Sequence, residues 1–239
     1  MKKIIFLTLF LLLIIVSSSP TKFFSFQTAR YIHINPNLIK KSLDKEELYI
    51  LDTRRMEIMA EGYIPNTILI PSTNFTWLPS VVPDGAYVVI ISDGENYMDT
   101  YDKIKDLGKY KLFGYVLYEE LINSGLFNIQ KVIYNENTLN DIKTIVENNE
   151  YIIDIREISE YRETGVIKEA HLINFSTFLT NYEKIPKKGD IYVYCKKGLR
   201  AVVAMSFAKR AGYKNNFIIM RAGMEKAIAE KYPVIPYNG

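Results

Sequence analysis

At 239 residues, 48% hydrophobic and 24% charged, with no low-complexity tract, the chain has the composition of one large or two small globular domains. Its net charge of +3 lies partly in Lys2 and Lys3 of a targeting-like segment, so bulk electrostatics gives no support for nucleic-acid binding, which needs a clustered basic face, and none is expected. A single cysteine excludes an intramolecular disulfide, and beside two scattered histidines, His33 and His171, it leaves no ligand set for a structural zinc: no metal is expected.

Residues 1–20 read as an address. Lys2 and Lys3 precede a run from Ile4 to Val16 that is apolar apart from Thr8, and Ser17-Ser18-Ser19 offers small residues where a signal peptidase cuts. That run is short for a membrane span, which needs about 20 residues. Phe23, Phe24 and Phe26 extend it enough to leave an uncleaved anchor open as the alternative. Lysines ahead of the apolar run favour export of the chain beyond it, so an extracytoplasmic protein is expected, touching a membrane only through this leader.

Beyond the leader, Asn35-Pro36 starts a short helix to about Leu43, with Asn as N-cap and Pro at the first helical position. Strands are predicted at Leu48 to Asp52, Thr67 to Ile70, Tyr87 to Ile91 and Tyr115 to Tyr118, with a helix over Tyr97 to Leu107. The second half runs the same course. A helix is capped at Asn137-Thr138, and strands follow at Tyr151 to Ile155, His171 to Phe175, Tyr192 to Tyr194 and Phe217 to Met220. Such alternation predicts an α/β fold with mostly parallel sheets covered by helices on both faces.

The halves also match residue by residue. Tyr49-Ile50-Leu51-Asp52-Thr53-Arg54 aligns with Tyr151-Ile152-Ile153-Asp154-Ile155-Arg156, and Gly62-Tyr63-Ile64 with Gly165-Val166-Ile167 at an offset one residue longer. A drift this small is what a duplicated domain with loop indels gives. The predicted organisation is a leader over residues 1–20, a first domain over 30–133 and a second over 134–239.

The chemistry concentrates at Ile191-Tyr192-Val193-Tyr194-Cys195-Lys196-Lys197-Gly198-Leu199-Arg200. A β-prone run reaches the only cysteine, and a helix-forming run from Ala201 to Arg210 follows. The thiol therefore lies at a strand-to-helix turn, where unpaired backbone N–H groups and three nearby cations favour a thiolate with a pKa below the roughly 8.5 of free cysteine. A lone cysteine is more often a small inert hydrophobe. The charged Lys196-Lys197-Gly198 segment argues against burial here and for a reactive, partly exposed thiol.

On these residues the chain resembles a tandem rhodanese, a thiosulfate sulfurtransferase. Asp154-Ile155-Arg156, Tyr161 and Gly165 to Asn174 resemble the family's first signature, D-x-R…G-H-I-x-G-A-x-N, with Val166 in place of His and Glu169 in place of Gly. Cys195 to Arg200 resembles the active loop. Arg221-Ala222-Gly223-Met224 and Tyr232-Pro233-Val234 resemble the closing signature, with Ala222 for a glycine and Ala227 for a common Trp. The resemblance implies two rhodanese-like domains. The first is inactive, because Ser92 falls where Cys195 stands and its loop, Ser92-Asp93-Gly94-Glu95-Asn96-Tyr97, has carboxylates and no cation.

It further implies catalysis by Cys195 through a covalent persulfide, with no other cofactor. Lys196, Lys197, Gly198, Leu199 and Arg200 would bind a small anionic sulfur donor, Arg200 by its planar fork. A thiophilic acceptor, cyanide or a thiol, would take the sulfur. Asp154 and Arg156 are expected to support the site as a structural polar link, and the protein is expected to be a monomer. A non-catalytic sulfur carrier or protein-binding module is the alternative. A cysteine phosphatase comes third, since its loop resembles Cys-x5-Arg and this one is Cys-x4-Arg.

Overall fold

The strands at the centre of each half are apolar on both faces. Val88, Val89, Ile90 and Ile91 are all fully buried, as are Ile152 and Ile153. Such strands are stable only inside a sheet covered on both sides, which is the setting of parallel α/β architecture. In the computed structural model, residues 31–43, 48–94, 97–136 and 138–239 are described. The leader, the Glu95-Asn96 part of the Ser92 loop and Asn137 of the predicted cap lie outside them.

The first half begins with α1 (Pro36–Ser42), whose Asn35 side chain accepts the Asn37 N–H as an N-cap. It continues through β1 (Leu48–Asp52), α2 (Met56–Glu61), β2 (Ile68–Leu69), a 3-10 turn (Phe75–Ser80), β3 (Tyr87–Ser92), α3 (Tyr97–Asp106), β4 (Lys111–Leu117) and α4 (Tyr118–Asn123). The second half comprises β5 (Ile133–Asn135), α5 (Leu139–Glu147), β6 (Tyr151–Asp154), α6 (Ile158–Thr164), β7 (His171–Leu172), α7 (Phe178–Asn181), β8 (Ile191–Tyr194), α8 (Leu199–Arg210), β9 (Phe217–Met220) and α9 (Gly223–Ala229).

Two sheets result, ordered β2-β1-β3-β4 and β5-β9-β8-β6-β7, and every strand pairing within them is parallel. Each sheet reverses direction once. After β6 the chain steps outward to β7 and returns to the other side of β6 as β8, so the reversal falls between β6 and β8; in the first sheet it falls between β1 and β3. Beyond the carboxyl ends of the strands, such a reversal leaves a crevice between diverging loops, where ligands of open α/β sheets bind.

The structure departs from the sequence expectation mainly at short elements. The predicted strands at Thr67 to Ile70 and His171 to Phe175 shrink to two residues each, because both are edges paired on one side only. Helices α4, α6 and α9 span only six or seven residues, too short to carry a 3.6-residue apolar rhythm in sequence.

Helix α8 explains how the halves cohere. Its residues Ala201 to Ala208 are all buried, so it has no solvent face over that stretch. A helix apolar all round is one enclosed by protein. Ser206 joins it to the first half: its Oγ accepts the Leu69 N–H at 3.0 Å and donates to the Val203 carbonyl at 2.7 Å. Tyr63 donates towards the Met205 sulfur at 3.9 Å, and Trp77 meets Phe175 edge-on at 5.9 Å. One buried apolar cluster runs from Leu51 and Ile90 to Val193 and Ile219. The element that begins at the cysteine loop is thus fixed by both halves.

Candidate active site

Cys195 directly follows β8, at the carboxyl end of its sheet and beside the reversal between β6 and β8. It is 2% exposed, not the partly exposed thiol that its charged neighbours suggest. The reason is local: the loop folds over the residue while the side chains of Lys196 and Lys197, 61% and 66% exposed, project outward.

Two glycines lock this loop. Gly198, with φ of 83°, is the residue before the first turn of α8, and a Cβ there would stand 2.4 Å from the Arg221 carbonyl oxygen. Gly223 has φ of 55°, and a Cβ there would lie 2.1 Å from the Cys195 carbonyl oxygen. Both positions combine a left-handed backbone with a close backbone approach, which only glycine meets without strain. Opposite Gly198, the start of α9 satisfies the loop carbonyls: Met224 N–H donates to Cys195 O at 2.9 Å and Glu225 N–H to Lys196 O at 3.2 Å. With the carbonyls turned towards α9, the amides of Lys196, Lys197, Gly198, Leu199 and Arg200 have no acceptor among the described residues. Consecutive free N–H groups at a helix start form an anion-holding nest.

The charged side chains have partners that local sequence does not announce. Arg200 donates from Nη1 to Glu160 Oε2 and from Nη2 to Glu160 Oε1, both at 2.7 Å, a two-pronged ion pair with side chains only 12% and 21% exposed. Both terminal nitrogens of its fork thus meet a carboxylate of the protein. Lys196 and Lys197 approach the two Glu225 oxygens at 3.9 and 3.6 Å, loose contacts that solvent screens. Leu199 is exposed.

Burial of the Arg200 guanidinium works against its charge, yet its pKa is held above the ordinary arginine value. The Glu160 hydrogen bonds, with the charges nearby, outweigh burial. Glu160 moves the other way. Burial would raise its carboxyl, but hydrogen bonds from Arg200 and from the Glu157 N–H, at 2.8 Å, bring it below the usual carboxylate value.

Asp154 and Arg156 are buried beneath this layer. Arg156 Nη2 donates to Asp154 Oδ2 at 2.6 Å and to the Gly165 carbonyl at 2.8 Å, its Nε donates to both carboxylate oxygens at 3.0 Å, and its Nη1 reaches Thr164 Oγ1 at 2.7 Å. Burial pushes the Asp154 carboxyl up, against the pull of Arg156. The pair ties the end of β6 to the carboxyl end of α6, the helix that carries Glu160.

Glu160, Glu225 and Gly223 complete the site, and the search for cations around the cysteine passes over the two acids. Glu160 does leave a trace in sequence, because Glu157-x-x-Glu160 is a capping-box spacing and places an acid in the first turn of α6. Among the described residues, no group of three or more His, Cys, Asp or Glu side chains is gathered that could hold a metal ion.

A family model for the rhodanese-like domain matches residues 138–230, which hold this loop, Asp154, Arg156, Glu160 and Gly223. Solved structures that resemble the chain include a thiosulfate sulfurtransferase from Pseudomonas aeruginosa, at 15% identity and TM-score 0.38, covering 85% of this chain and 43% of that one. Another is CoADR-RHD of Bacillus anthracis, at 30% identity and TM-score 0.38 over 44% of this chain and 18% of that one. A third is SseA of Escherichia coli, a 3-mercaptopyruvate sulfotransferase, at 12% identity and TM-score 0.35 over 81% of this chain and 98% of that one. The chain thus spans less than half the length of the first two. A comparison with curated proteins finds no match.

Proposed function

We propose that the protein is a sulfurtransferase in which Cys195 carries sulfane sulfur as a persulfide. The observation that supports this most is the conjunction, at one strand end of a rhodanese-like domain, of a thiol and a loop of unengaged amides that leads into α8. With thiosulfate as donor, the Cys195 thiolate attacks the outer sulfur, the sulfur–sulfur bond breaks and sulfite leaves with its electron pair. A cysteine persulfide anion remains. Cyanide or a thiolate then attacks the terminal sulfur and restores the Cys195 thiolate. The amides of residues 196–200 hold the persulfide's charge, and Lys196 and Lys197 attract the donor's anionic end.

On this reading the chain comprises two rhodanese-like domains. The first carries Ser92 where the second carries Cys195 and serves as a wall for α8. The leader directs the protein out of the cytoplasm or tethers it there, and the folded part acts as a monomer without a metal.

The test is intact-mass spectrometry of the protein after brief exposure to thiosulfate or to an organic persulfide, beside Cys195→Ser. The expected result is a gain of about 32 Da on the parent alone, removed by cyanide with release of thiocyanate. A folded, reduced parent that gains no sulfur from either donor refutes the proposal. Sulfur gained but never discharged to cyanide or thiols replaces it with a carrier.

A further inference from the structure

Each of the three cations in the cysteine loop is met by a carboxylate from another element. Glu160, in the first turn of α6, bonds both terminal nitrogens of Arg200. Glu225, in the first turn of α9, lies 3.9 Å from Lys196 Nζ and 3.6 Å from Lys197 Nζ. The lysine contacts are too long for hydrogen bonds, but charge acts over such distances at low ionic strength. Glu225 is held there by backbone. Its N–H donates to the Lys196 carbonyl at 3.2 Å, and the Met224 N–H donates to the Cys195 carbonyl at 2.9 Å. Met224 is buried, whereas the Glu225 carboxylate stays half-exposed beside the two lysines. The neighbouring charges are matched among themselves: Lys226 pairs with Glu230 at 2.6 Å and Arg221 with Glu136 at 3.3 Å.

Three cations and two carboxylates leave the loop one net positive charge, where its own residues supply three. A thiolate at Cys195 cancels that one. An arriving dianion then gains no net attraction from its second charge, and it sheds a more tightly held hydration shell than a monoanion of the same size. We infer that Glu225 is a selectivity residue, which lowers the charge of the loop so that the site favours singly charged sulfur donors, organic persulfides and thiosulfonates, over doubly charged thiosulfate. This deepens the sulfurtransferase reading and rests on it. The exchange is the same for each donor. The Cys195 thiolate attacks the outer sulfur, the sulfur–sulfur bond breaks, and a thiolate or a sulfinate leaves with the electron pair.

Two alkylating reagents of different charge measure this at the sulfur itself. Cys195 is the only cysteine, so anionic iodoacetate and neutral iodoacetamide report on one atom. The ratio of their rates cancels any change in thiolate fraction and leaves the charge that an entering anion meets. Glu225→Gln is expected to raise the ratio of iodoacetate to iodoacetamide about threefold at low salt. The rise should vanish near about 1 M salt, where screening acts within about 3 Å. Glu225→Asp keeps the charge and is expected to match the parent. An unchanged ratio at low salt in Glu225→Gln, with the variant folded by circular dichroism, overturns the inference.

Sulfur donors give a second readout. Methanethiosulfonate carries a methyl group where thiosulfate has one oxygen, so it offers the same outer sulfur with one negative charge instead of two. The donors' intrinsic reactivities cancel when variant and parent are compared. Glu225→Gln is expected to shift the ratio of kcat/KM values about threefold towards thiosulfate at low salt, and the absence of a shift overturns the inference. Alkylation needs no sulfur donor. A raised alkylation ratio together with a parent that takes up sulfur from neither donor would refute the sulfurtransferase reading and leave Glu225 as the residue that sets the charge of the loop.

Discussion

The ends of β1 and β6 carry the same buried device. Arg54 donates from Nε and Nη2 to Asp52, at 2.9 and 2.6 Å, and from Nη2 to the Gly62 carbonyl at 2.7 Å; Arg156 makes the corresponding bonds to Asp154 and Gly165. The register agrees as well. Asp52 pairs with Ile91 and Asp154 with Tyr194, so Ser92 and Cys195 are each the next residue along the neighbouring strand. Above this shared level the regions part. Over Arg54 lies the ring of Tyr118, 3.2 Å from the guanidinium carbon, and the position after Ser92 is Asp93. Over Arg156 stands Glu160 with its Arg200, and the position after Cys195 is Lys196. The Asp–Arg pair therefore belongs to the scaffold, and the loop above it determines what chemistry the strand end can perform.

If that division is right, breaking the pair has the same cost in either half. Asp52→Ala and Asp154→Ala each strand a buried guanidinium and are expected to destabilise the fold by about 3–5 kcal/mol. Urea unfolding of both variants measures this. A cost under about 1 kcal/mol in one half alone would end the equivalence.

The loop glycines should differ between the halves. Gly223→Ala drives a Cβ into the Cys195 carbonyl, so a loss of about 1–3 kcal/mol is expected, together with slowed alkylation of Cys195. Gly94→Ala, at φ of 100°, meets only the Leu117 side chain at 3.9 Å, so its cost is limited to backbone strain of about 1–2 kcal/mol and Cys195 keeps its alkylation rate. Equal effects on alkylation would place the loop's influence outside the contact with α9.

The acid limb of stability sharpens the contrast further. Glu160 has a folded pKa below its ordinary 4.5, so the stability it contributes is present above that value and disappears as the pH falls through the lower folded value. The stability difference between parent and Glu160→Gln is expected to shrink between about pH 6 and about pH 3. A difference that grows towards acid contradicts the lowered carboxyl.

The smallest expected effect is a null result with content. Ser92→Cys in a Cys195→Ser background supplies a thiol at the matching strand end without the cations, and it is expected to gain no sulfur from thiosulfate. Peptide mapping that finds a persulfide at position 92 would show that the scaffold alone suffices.

Several of these features are legible in the residues themselves. Strands β3 and β8 announce themselves by buried, β-prone runs, and Asn35 with Pro36 marks the start of α1, because local sterics and capping act within a few residues. The recurrence of Asp-x-Arg is equally plain, since the pair closes over two residues of chain. Arg200 is different. In sequence it is a cation five residues from a thiol, and its partner lies 40 residues upstream on another helix. Nothing in the loop signals that the fork is occupied. Lys196 and Lys197 suggest an exposed thiol, whereas the sulfur's residue is buried, because exposure depends on how Gly198 and Gly223 pack rather than on the charge of neighbours.

The amino-acid sequence by itself determined the alternating strands and helices, the thiol at a strand-to-helix turn and the spacing of the loop. All of these arise from interactions between residues close along the chain. Only the tertiary structure decided which carboxylate meets which cation, which face of α8 each half covers and how deep the thiol lies. Those outcomes depend on where separate strands end in space, and the reversal between β6 and β8 brings together loops that the chain keeps far apart.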